Sequence, residues 1–136
     1  MNKKRGTLLT ENIIFIILNI LFIGILILFI SLRSGSAAVL EEVYAKQIAL
    51  IIDSAKPGMV INLNMEDAIE RAKKELGENK INEIVSINIT NSNIVTVKLR
   101  NKGGYSYSFF NDVDVNAYPD TNGKEYVFVI NKKNEQ

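Results

Sequence analysis

The chain has 136 residues, carries 16 basic and 15 acidic side chains for a formal net charge of +1, and contains neither Cys nor His. This composition excludes a disulfide framework, His-based acid–base catalysis and most zinc sites, and the balanced charge argues against a nucleic-acid partner. Three basic residues, Lys3, Lys4 and Arg5, stand at the N-terminal tip, and without them the count is 13 basic against 15 acidic, or −2. The basic excess is therefore a property of the tip.

A long apolar run follows the tip. From Ile13 to Leu32 the chain has 20 residues that are all apolar except Asn19, Gly24 and Ser31. As a helix with a rise of about 1.5 Å per residue, the run would span about 30 Å, the thickness of a bilayer's hydrocarbon core. A surface helix of a soluble protein has one apolar stripe, whereas this segment is apolar all round. The run predicts a membrane-spanning helix, in which the Asn19 side chain bonds its own backbone or, as an alternative, a neighbouring helix.

The residues before this run give its orientation and a resemblance. The basic residues 3–5 precede the run and only Arg33 follows it closely, which predicts a cytoplasmic N-terminus and an external C-terminal part. Gly6 ends the basic tip, and Glu11 stands just before the apolar run. This order resembles the signal of the type IV pilin superfamily, which includes archaeal pilins and archaellins. The resemblance covers residues 1–32.

The resemblance implies a processing site and an assembly role. In that family a prepilin peptidase cuts after the Gly, here between Gly6 and Thr7, which makes Glu11 the fifth residue of the mature chain. The family also implies that Glu11 pairs with the new N-terminal amine of an adjacent copy. Thr7 departs from the Phe that is usual in bacterial pilins, although archaeal members vary more there. Independently, a carboxylate at the edge of hydrocarbon costs on the order of a few kcal/mol unless it has a partner or stays at the interface.

Two other interpretations of the N-terminal segment stay open. The first is a plain signal anchor that is not cut, with Glu11 at the interface by chance. The second is a secretory signal peptide, since the small residues 34–38 are of cleavage-site type. The apolar run exceeds the usual apolar region of such a peptide, which is about 7 to 15 residues long.

A second helical pattern begins near Ala37, after a polar segment in which Gly35 predicts a kink or a hinge. Apolar residues at spacings of three and four give it one apolar face: Leu40, Val43, Tyr44, Ile48, Ile51, Ile52 and Ala55. The charged residues are expected to lie largely off this face: Glu41, Glu42, Lys46 and Asp53. Glu42 and Lys46 have the spacing and order that favour an ion pair. Residues 56–58, Lys-Pro-Gly, end the helix.

The remaining residues alternate between strand and turn patterns. Strands are predicted over residues 59–63, 82–90, 94–100, 105–109, 112–117 and 125–130, of which residues 112–117 form either a strand or an edge segment that Pro119 ends. A helix is predicted to begin near Met65, with Asn64 as its cap, and to end at Gly77. The second and third strands form a hairpin around residues 91–93, and the tail from Asn131 is expected to fray. Because the strands have one apolar and one polar face, we expect the helix over residues 40–55 to cover the sheet on one side.

Few residues of this outer part point to chemistry. Asn88 heads an Asn-Ile-Thr triplet on the polar side of a strand, a candidate glycosylation site, although such triplets also arise by chance. Asp112, Asp114 and Asn116 share one face with Asp120 nearby, but the spacing is not that of a calcium loop, so we interpret them as a polar strand face or turn. The aromatic residues at 105, 107 and 109 have the spacing of packing residues in a strand. We predict no metal, no cofactor and no enzymatic activity.

These observations predict an α+β protein in which a long N-terminal helix, first transmembrane and then amphipathic, packs on a small antiparallel sheet with one extra helix. The expected organisation is a leader (1–6), a transmembrane helix (7–33), an amphipathic helix (34–58) and an extracytoplasmic domain (59–136) that uses residues 37–58 as its packing helix. The expected function is that of a pilin-like subunit of a filament or pseudopilus. Its expected partners are the lipid bilayer, a prepilin peptidase and other pilin copies. The alternative function is an uncleaved, single-pass membrane anchor for a binding or accessory domain.

Overall fold

The computed structural model describes residues 2–34, 36–90 and 92–133, with side chains described from Leu9 to Ser31 and from Ser36 onward, except residue 91. The chain divides into two compact units, Met1–Ser36 and Ala37–Gln136. The secondary structure is α+β, as the sequence predicts. Its strands form two small antiparallel sheets, where the sequence pattern had indicated one.

The first unit is a single helix, α1 (Asn2–Ser34). Its stretch Leu9–Ser31 has 23 residues and is long and apolar enough to cross a membrane. A lone N-terminal helix of this kind fits a membrane anchor or a signal helix. The expected kink or hinge at Gly35 lies outside the described residues, and the next helix begins at Ala37.

Within its described residues, the second unit contains two α-helices, a 3₁₀ helix and six strands. The helices are α2 (Ala37–Ser54), α3 (Glu66–Leu76) and the 3₁₀ helix Glu78–Glu83. The strands are β1 (Val60–Asn64), β2 (Val85–Asn88), β3 (Ile94–Val97), β4 (Tyr105–Ser108), β5 (Val113–Pro119) and β6 (Glu125–Lys132). One sheet has the order β1–β6–β5 and the other β2–β3–β4, with all neighbours antiparallel.

Helix α2 packs on β3 and β4, which confirms that this helix covers a sheet. The face that it buries differs from the predicted one. Its buried residues are Ala37, Glu41, Ala45, Ile48, Ala49 and Ile52. The expectation that Glu41 lies off the buried face is wrong, since its residue is 1% exposed, and Val43, expected on that face, is 50% exposed. Small alanines let the helix approach the sheet closely, and Glu41 is buried because its carboxylate has partners there.

The hairpin β2–β3 is confirmed, but both strands are shorter than predicted. Residues 82 and 83 belong to the 3₁₀ helix, whose carbonyl at Ile81 accepts a hydrogen bond from the Tyr126 hydroxyl at 2.6 Å. At the other end, β3 stops at Val97 because the backbone N–H of Leu99 donates to Glu41 instead of to a strand. The predicted turn at residue 91 lies outside the described residues.

The ends of α3 follow their predicted chemistry with a shift of one residue. Asn64 Oδ1 accepts the backbone N–H of Glu66 at 3.0 Å, while Met65 is the residue that flanks the helix. Gly77 ends α3 with a φ of 90°, a left-handed conformation that Gly adopts without the steric cost of a Cβ. The backbone N–H groups in the first turn of a helix have no carbonyl partner within the helix. The side-chain oxygen of Asn64 accepts one of them, which explains why an Asn stands there.

The C-terminal strand is longer than predicted. Asn131 and Lys132 continue β6 and pair with Asp114 and Val113 of β5, so the expectation that the tail frays from Asn131 is wrong. Backbone pairing with β5 keeps these two residues in the sheet although their side chains are polar. Strand β6 also supplies the largest buried side chains of the core, Tyr126 and Phe128, whose ring centres are 6.1 Å apart.

Candidate functional site

The surface of α1 is the most unusual feature of the molecule. Between Leu9 and Ile30 its large apolar side chains are from 43% to 68% exposed. None of the described residues from Leu9 to Ser31 is buried. Exposed apolar area of this extent is unfavourable in water and is satisfied by lipid or by other apolar helices. The α1 surface is therefore the first candidate site.

Two polar side chains interrupt this surface. Asn19 Nδ2 donates a hydrogen bond to the carbonyl oxygen of Phe15 at 2.9 Å, which confirms that Asn19 bonds its own backbone. Glu11 is exposed near the start of the apolar stretch, and none of the described side chains pairs with it. A carboxylate with free acceptor capacity at this position is what an ammonium group on another molecule would require.

The predicted processing site lies at the beginning of α1. Gly6 and Thr7 are helical residues of α1, as are the basic residues Lys3, Lys4 and Arg5. The side chains of residues 3, 4, 5 and 7 lie outside the described part of the chain. Cleavage between Gly6 and Thr7 stays a prediction from the sequence.

A second polar arrangement fixes the beginning of α2 to the sheet. Glu41 Oε1 accepts the backbone N–H of Leu99 at 2.9 Å, and its Oε2 accepts Nη2 of Arg100 at 2.9 Å. The Leu99 residue is fully buried, and the side chain of Arg100 is 39% exposed. The carboxylate of Glu41 raises the pKa of Arg100 through this hydrogen bond and its charge. A buried carboxylate that meets both a cation and a backbone donor avoids most of the cost of burial.

A matching arrangement fixes the end of α2. Asp53 Oδ1 accepts the backbone N–H groups of Phe110 and Asn111 at 2.6 and 2.9 Å. In return, Asn111 Nδ2 donates to the carbonyl oxygens of Ile52 and Ala55, both at 2.8 Å. The Ile52 carbonyl also accepts the backbone N–H of Ala55 at 3.2 Å, so Asn111 adds a second bond there and satisfies the carbonyl of Ala55, just beyond the helix.

We call these two arrangements the N-terminal latch (Glu41, Leu99, Arg100) and the C-terminal latch (Asp53, Asn111, with the carbonyls of residues 52 and 55). The N-terminal latch holds the connection between β3 and β4, and the C-terminal latch holds the residues that follow β4. Together the latches tie both ends of α2 to one sheet. The sequence pattern did not identify them, because an acid on a helix is ordinarily read as a solvated residue. The one available signal was that Glu41 is four residues from Ala37 and from Ala45, on the alanine-rich side of the helix.

The other predicted site residues remain apart. Asn88 is exposed at the end of β2, where an Asn side chain is accessible to modification. Asp112 Oδ1 forms an ion pair with Lys133 at 2.6 Å, whereas Asp114 and Asn116 lie on the exposed side of β5. Among the described residues no three acidic side chains converge as metal ligands would. The aromatic positions differ: Phe109 is buried, Tyr105 is half-buried and Tyr107 is 39% exposed.

Other charged groups lie at the surface of α2 and α3. Lys46 Nζ contacts Glu42 at 2.6 Å, which confirms the predicted ion pair, and this hydrogen bond raises the pKa of Lys46. An open cleft beside α3 is lined by charges of both signs at Glu70, Lys73, Lys74 and Glu78. Such mixed charges at an open surface are typical of a solvated face.

No protein-family model matches the chain, and neither a curated protein nor a solved structure matches it. The resemblance of residues 1–32 to the pilin signal stays a prediction carried by Gly6, Glu11 and the apolar run.

Proposed function

We propose that this protein is a structural subunit of a type IV pilus-like filament or pseudopilus. A prepilin peptidase would cut the chain between Gly6 and Thr7, and the mature subunits would assemble through α1. The C-terminal unit would lie outside the cytoplasmic membrane. The observation that carries the proposal is a helix that is apolar all round from Leu9 to Ser31, with a single acid at its N-terminal end.

The surface of α1 supports assembly because it suits two environments. Its Ile, Leu and Phe side chains are exposed on every side, so it fits lipid in the precursor. The same side chains fit the centre of a bundle of identical helices. The transfer from lipid to bundle gains little hydrophobic free energy, since lipid tails are as apolar as Leu. Packing and polar pairing then decide whether and how the copies assemble.

Glu11 supplies the polar pairing in this proposal. After cleavage, the amine of Thr7 would carry a positive charge four residues before Glu11 in each copy. A carboxylate of one copy and an amine of the next would attract each other strongly in a medium of low dielectric constant. Since an unpaired charge there is costly, only one axial register of neighbouring helices would satisfy both groups. Glu11 would thus set the register of the filament.

The alternative function is an uncleaved single-pass anchor for the C-terminal unit. It is supported by the length of the Leu9–Ser31 stretch, which suffices to hold the chain in a bilayer without any partner. In that case Glu11 would stay at the interface and the second unit would act as a binding or accessory domain.

Filament assembly tests the proposal against this alternative. The full-length chain is produced in a host with a prepilin peptidase and the assembly machinery, and filaments sheared from the cells are quantified. We expect Glu11→Ala and Glu11→Gln to reduce assembled protein by about tenfold or more, the loss expected if a pairing of about 1.4 kcal/mol or more disappears. Glu11→Asp keeps the charge and should retain part of the assembly.

The matched control is Glu42→Gln, which removes an exposed carboxylate of α2 and should leave assembly unchanged. Cleavage is read from the same samples. Processed chains that assemble equally well with and without the Glu11 carboxylate would remove its pairing role. A chain that never leaves the membrane in any variant would favour the anchor.

A further inference from the structure

The second unit carries one candidate modification site that the proposed function does not use. Asn88 is the one Asn of the sequence that is followed two residues later by a Ser or a Thr, here Thr90. This triplet is the acceptor pattern for a glycan linked to an Asn side chain. Because such a triplet also arises by chance, its presentation in the fold decides whether it can be used.

The fold presents the Asn88 side chain to the surface. Asn88 is the last residue of β2, an edge strand in the sheet order β2–β3–β4. Its neighbours Ile87 and Ile89 pack against the core, and successive side chains of a strand point to opposite faces, so Asn88 points outward. Asn88 and Thr90 are both exposed, and Thr90 lies beyond the end of the strand. A transferase can therefore reach the triplet from the end of β2.

The side-chain amide of Asn88 is also free to react. No described residue forms a hydrogen bond with it, whereas the amides of Asn101 and Asn111 donate to backbone carbonyl oxygens. An amide nitrogen held by such bonds has to lose them before it can approach a sugar donor. Asn88 therefore combines the acceptor pattern with an exposed nitrogen that has no bond to break.

The surface that Asn88 shares is neutral and rich in hydroxyl groups. We call it the hydroxyl face, and it consists of the outward residues of β2, β3 and β4: Ser86, Asn88, Ile94, Thr96, Ser106 and Ser108. The strand register places residues 86, 96 and 106 in one row and residues 88, 94 and 108 in the next. Thr96 Oγ1 and Ser106 Oγ share a hydrogen bond of 2.7 Å. The opposite side of β3 and β4 is the side that α2 covers.

The chemistry of the hydroxyl face suits a sugar chain. Its hydroxyl groups both donate and accept hydrogen bonds, as sugar hydroxyls do, and Ile94 offers an apolar contact to sugar C–H groups. A glycan that lies on this face buries no charged side chain, and burying an unpaired charge would be costly. A glycan attached to Asn88 begins in the same row as Ile94 and Ser108, so the face lies within its immediate reach.

We propose that Asn88 carries an N-linked glycan that lies across the hydroxyl face. The donor is a glycan joined through C1 of its first sugar to the phosphate of a lipid carrier. Asn88 Nδ2 attacks this C1 and forms an N–C bond, while the bond from C1 to the phosphate oxygen breaks and its electron pair leaves with the lipid phosphate. The amide proton passes to a base of the transferase. The modification rests on one element of the proposed function, the position of the second unit outside the membrane, which the anchor alternative shares.

Mass spectrometry of the full-length chain tests the modification. The chain is recovered from the membranes or filaments of cells that attach a glycan to an exported reporter protein with a known Asn-x-Thr acceptor. Trypsin cuts after Lys80 and Lys98, so one peptide of residues 81–98 contains the whole triplet. We expect this peptide to carry the mass of the reporter's glycan on Asn88.

Variants of the triplet separate recognition from a chance modification. Asn88→Gln and Thr90→Ala should abolish the added mass, whereas Thr90→Ser keeps the hydroxyl group and should retain it. The matched control is Asn116→Gln, because Asn116 is also an exposed Asn on a strand but is followed by Ala and Tyr. It should leave the added mass unchanged. An unmodified Asn88 in cells that modify the reporter overturns the proposal, and so does an added mass that survives Asn88→Gln.

Cysteine labelling tests where the glycan lies, since the natural chain has no Cys. Ser108 is two strands from Asn88 in the same row, about 10 Å away across the sheet. A maleimide should label Ser108→Cys several-fold more slowly in the glycosylated chain than in the same chain with Asn88→Gln. Asn116→Cys, on the other sheet, should be labelled equally in both backgrounds. Equal labelling at residue 108 would overturn the position of the glycan on the hydroxyl face.

The intact mass of the same chains separates this modification from the pilin function. A glycosylated chain that still begins at Met1 supports the modification and contradicts the pilin function. A chain that begins at Thr7 and carries no glycan does the reverse.

Discussion

The helices α1 and α2 are both rich in apolar residues, but α1 exposes them and α2 buries many of them. Helix α1 exposes Ile, Leu and Phe on every side, and no described residue from Leu9 to Ser31 is buried. Helix α2 buries one side, made mainly of Ala and Ile, and is held at each end by a polar latch. Hydrophobicity alone therefore does not define a core. The buried side of α2 has small residues and placed polar partners, whereas the apolar side chains of α1 are exposed within the described chain.

The largest expected effect concerns the buried side of α2. Ile52→Ala removes a fully buried side chain and should lower the free energy of unfolding by about 3–4 kcal/mol, from lost burial and the cavity that remains. Leu50→Ala, two residues away and 64% exposed, should cost less than about 0.5 kcal/mol. Denaturant unfolding of the full chain in micelles, followed by Tyr fluorescence, measures both. Equal losses would contradict the buried face described here.

The next effect concerns the insertion of α1 into a membrane. Ile20→Lys places a charge near the middle of the apolar stretch and should oppose membrane insertion by about 3 kcal/mol. The fraction of the chain that stays with washed membranes measures this effect. Ser54→Lys, an exposed position of α2, is the control and should leave that fraction unchanged. Full retention of the Ile20 variant in membranes would argue against a spanning helix.

The N-terminal latch should give an intermediate effect. Glu41→Ala leaves the buried N–H of Leu99 without an acceptor and should destabilise the second unit by about 2–3 kcal/mol. Glu41→Gln keeps an oxygen for Leu99 but loses the charge, so it should lose less. Unfolding curves of the two variants test this order. If both are as stable as the natural chain, the latch has no energetic role.

The C-terminal latch should give a smaller effect. Asn111→Ala removes two hydrogen bonds, one to the carbonyl of Ile52 in the last turn of α2 and one to that of Ala55 just after it, and should cost about 1–2 kcal/mol. Asn101→Ala removes one longer hydrogen bond, 3.2 Å to the carbonyl of Glu75, and serves as the matched control. Amide exchange should report the difference locally, with faster exchange in the last turn of α2 for the Asn111 variant alone.

The last prediction concerns Tyr126 in the core, whose effect on stability appears at high pH. Burial raises the pKa of Tyr126 to about 12, against the weaker opposite effect of the backbone N–H groups of Val85 and Ile84. In the unfolded chain this pKa is about 10, so the unfolded state loses the proton first as pH rises. The contribution of the neutral Tyr126 hydroxyl to the free energy of unfolding is therefore complete below about pH 10. It is lost as the pH rises from about 10 towards about 12. Tyr126→Phe should flatten this part of the stability profile, and an unchanged profile would exclude Tyr126 as its source.

The sequence predicted those features that depend on local periodicity. The run of Ile, Leu and Phe specified α1, the spacing of three and four specified α2, and Gly77 specified the end of α3. It missed the features that depend on distant residues. Glu41 can be buried because the backbone N–H of Leu99 donates to it. Leu99 lies 58 residues further along the chain, so no local sequence pattern predicts this contact. The end of β3 at Val97 has the same cause, since the backbone N–H of Leu99 donates to Glu41.

The candidate site shows the same division. The apolar surface of α1 and the position of Glu11 could be read directly, because composition and order along the chain define them. The C-terminal latch could not be read, since Asp53 and Asn111 are 58 residues apart in sequence and come together only in the folded chain. The division of the strands into two sheets likewise depends on contacts between segments that are far apart in sequence.

The N-terminal residue of the chain recovered from membranes or filaments tests the central claim most directly. Intact-mass measurement with N-terminal sequencing should find a chain that begins at Thr7 and lacks residues 1–6. A Gly6→Leu variant from the same cells should keep its leader and should not assemble. A functional chain that still begins at Met1, in cells with an active prepilin peptidase, would contradict the account.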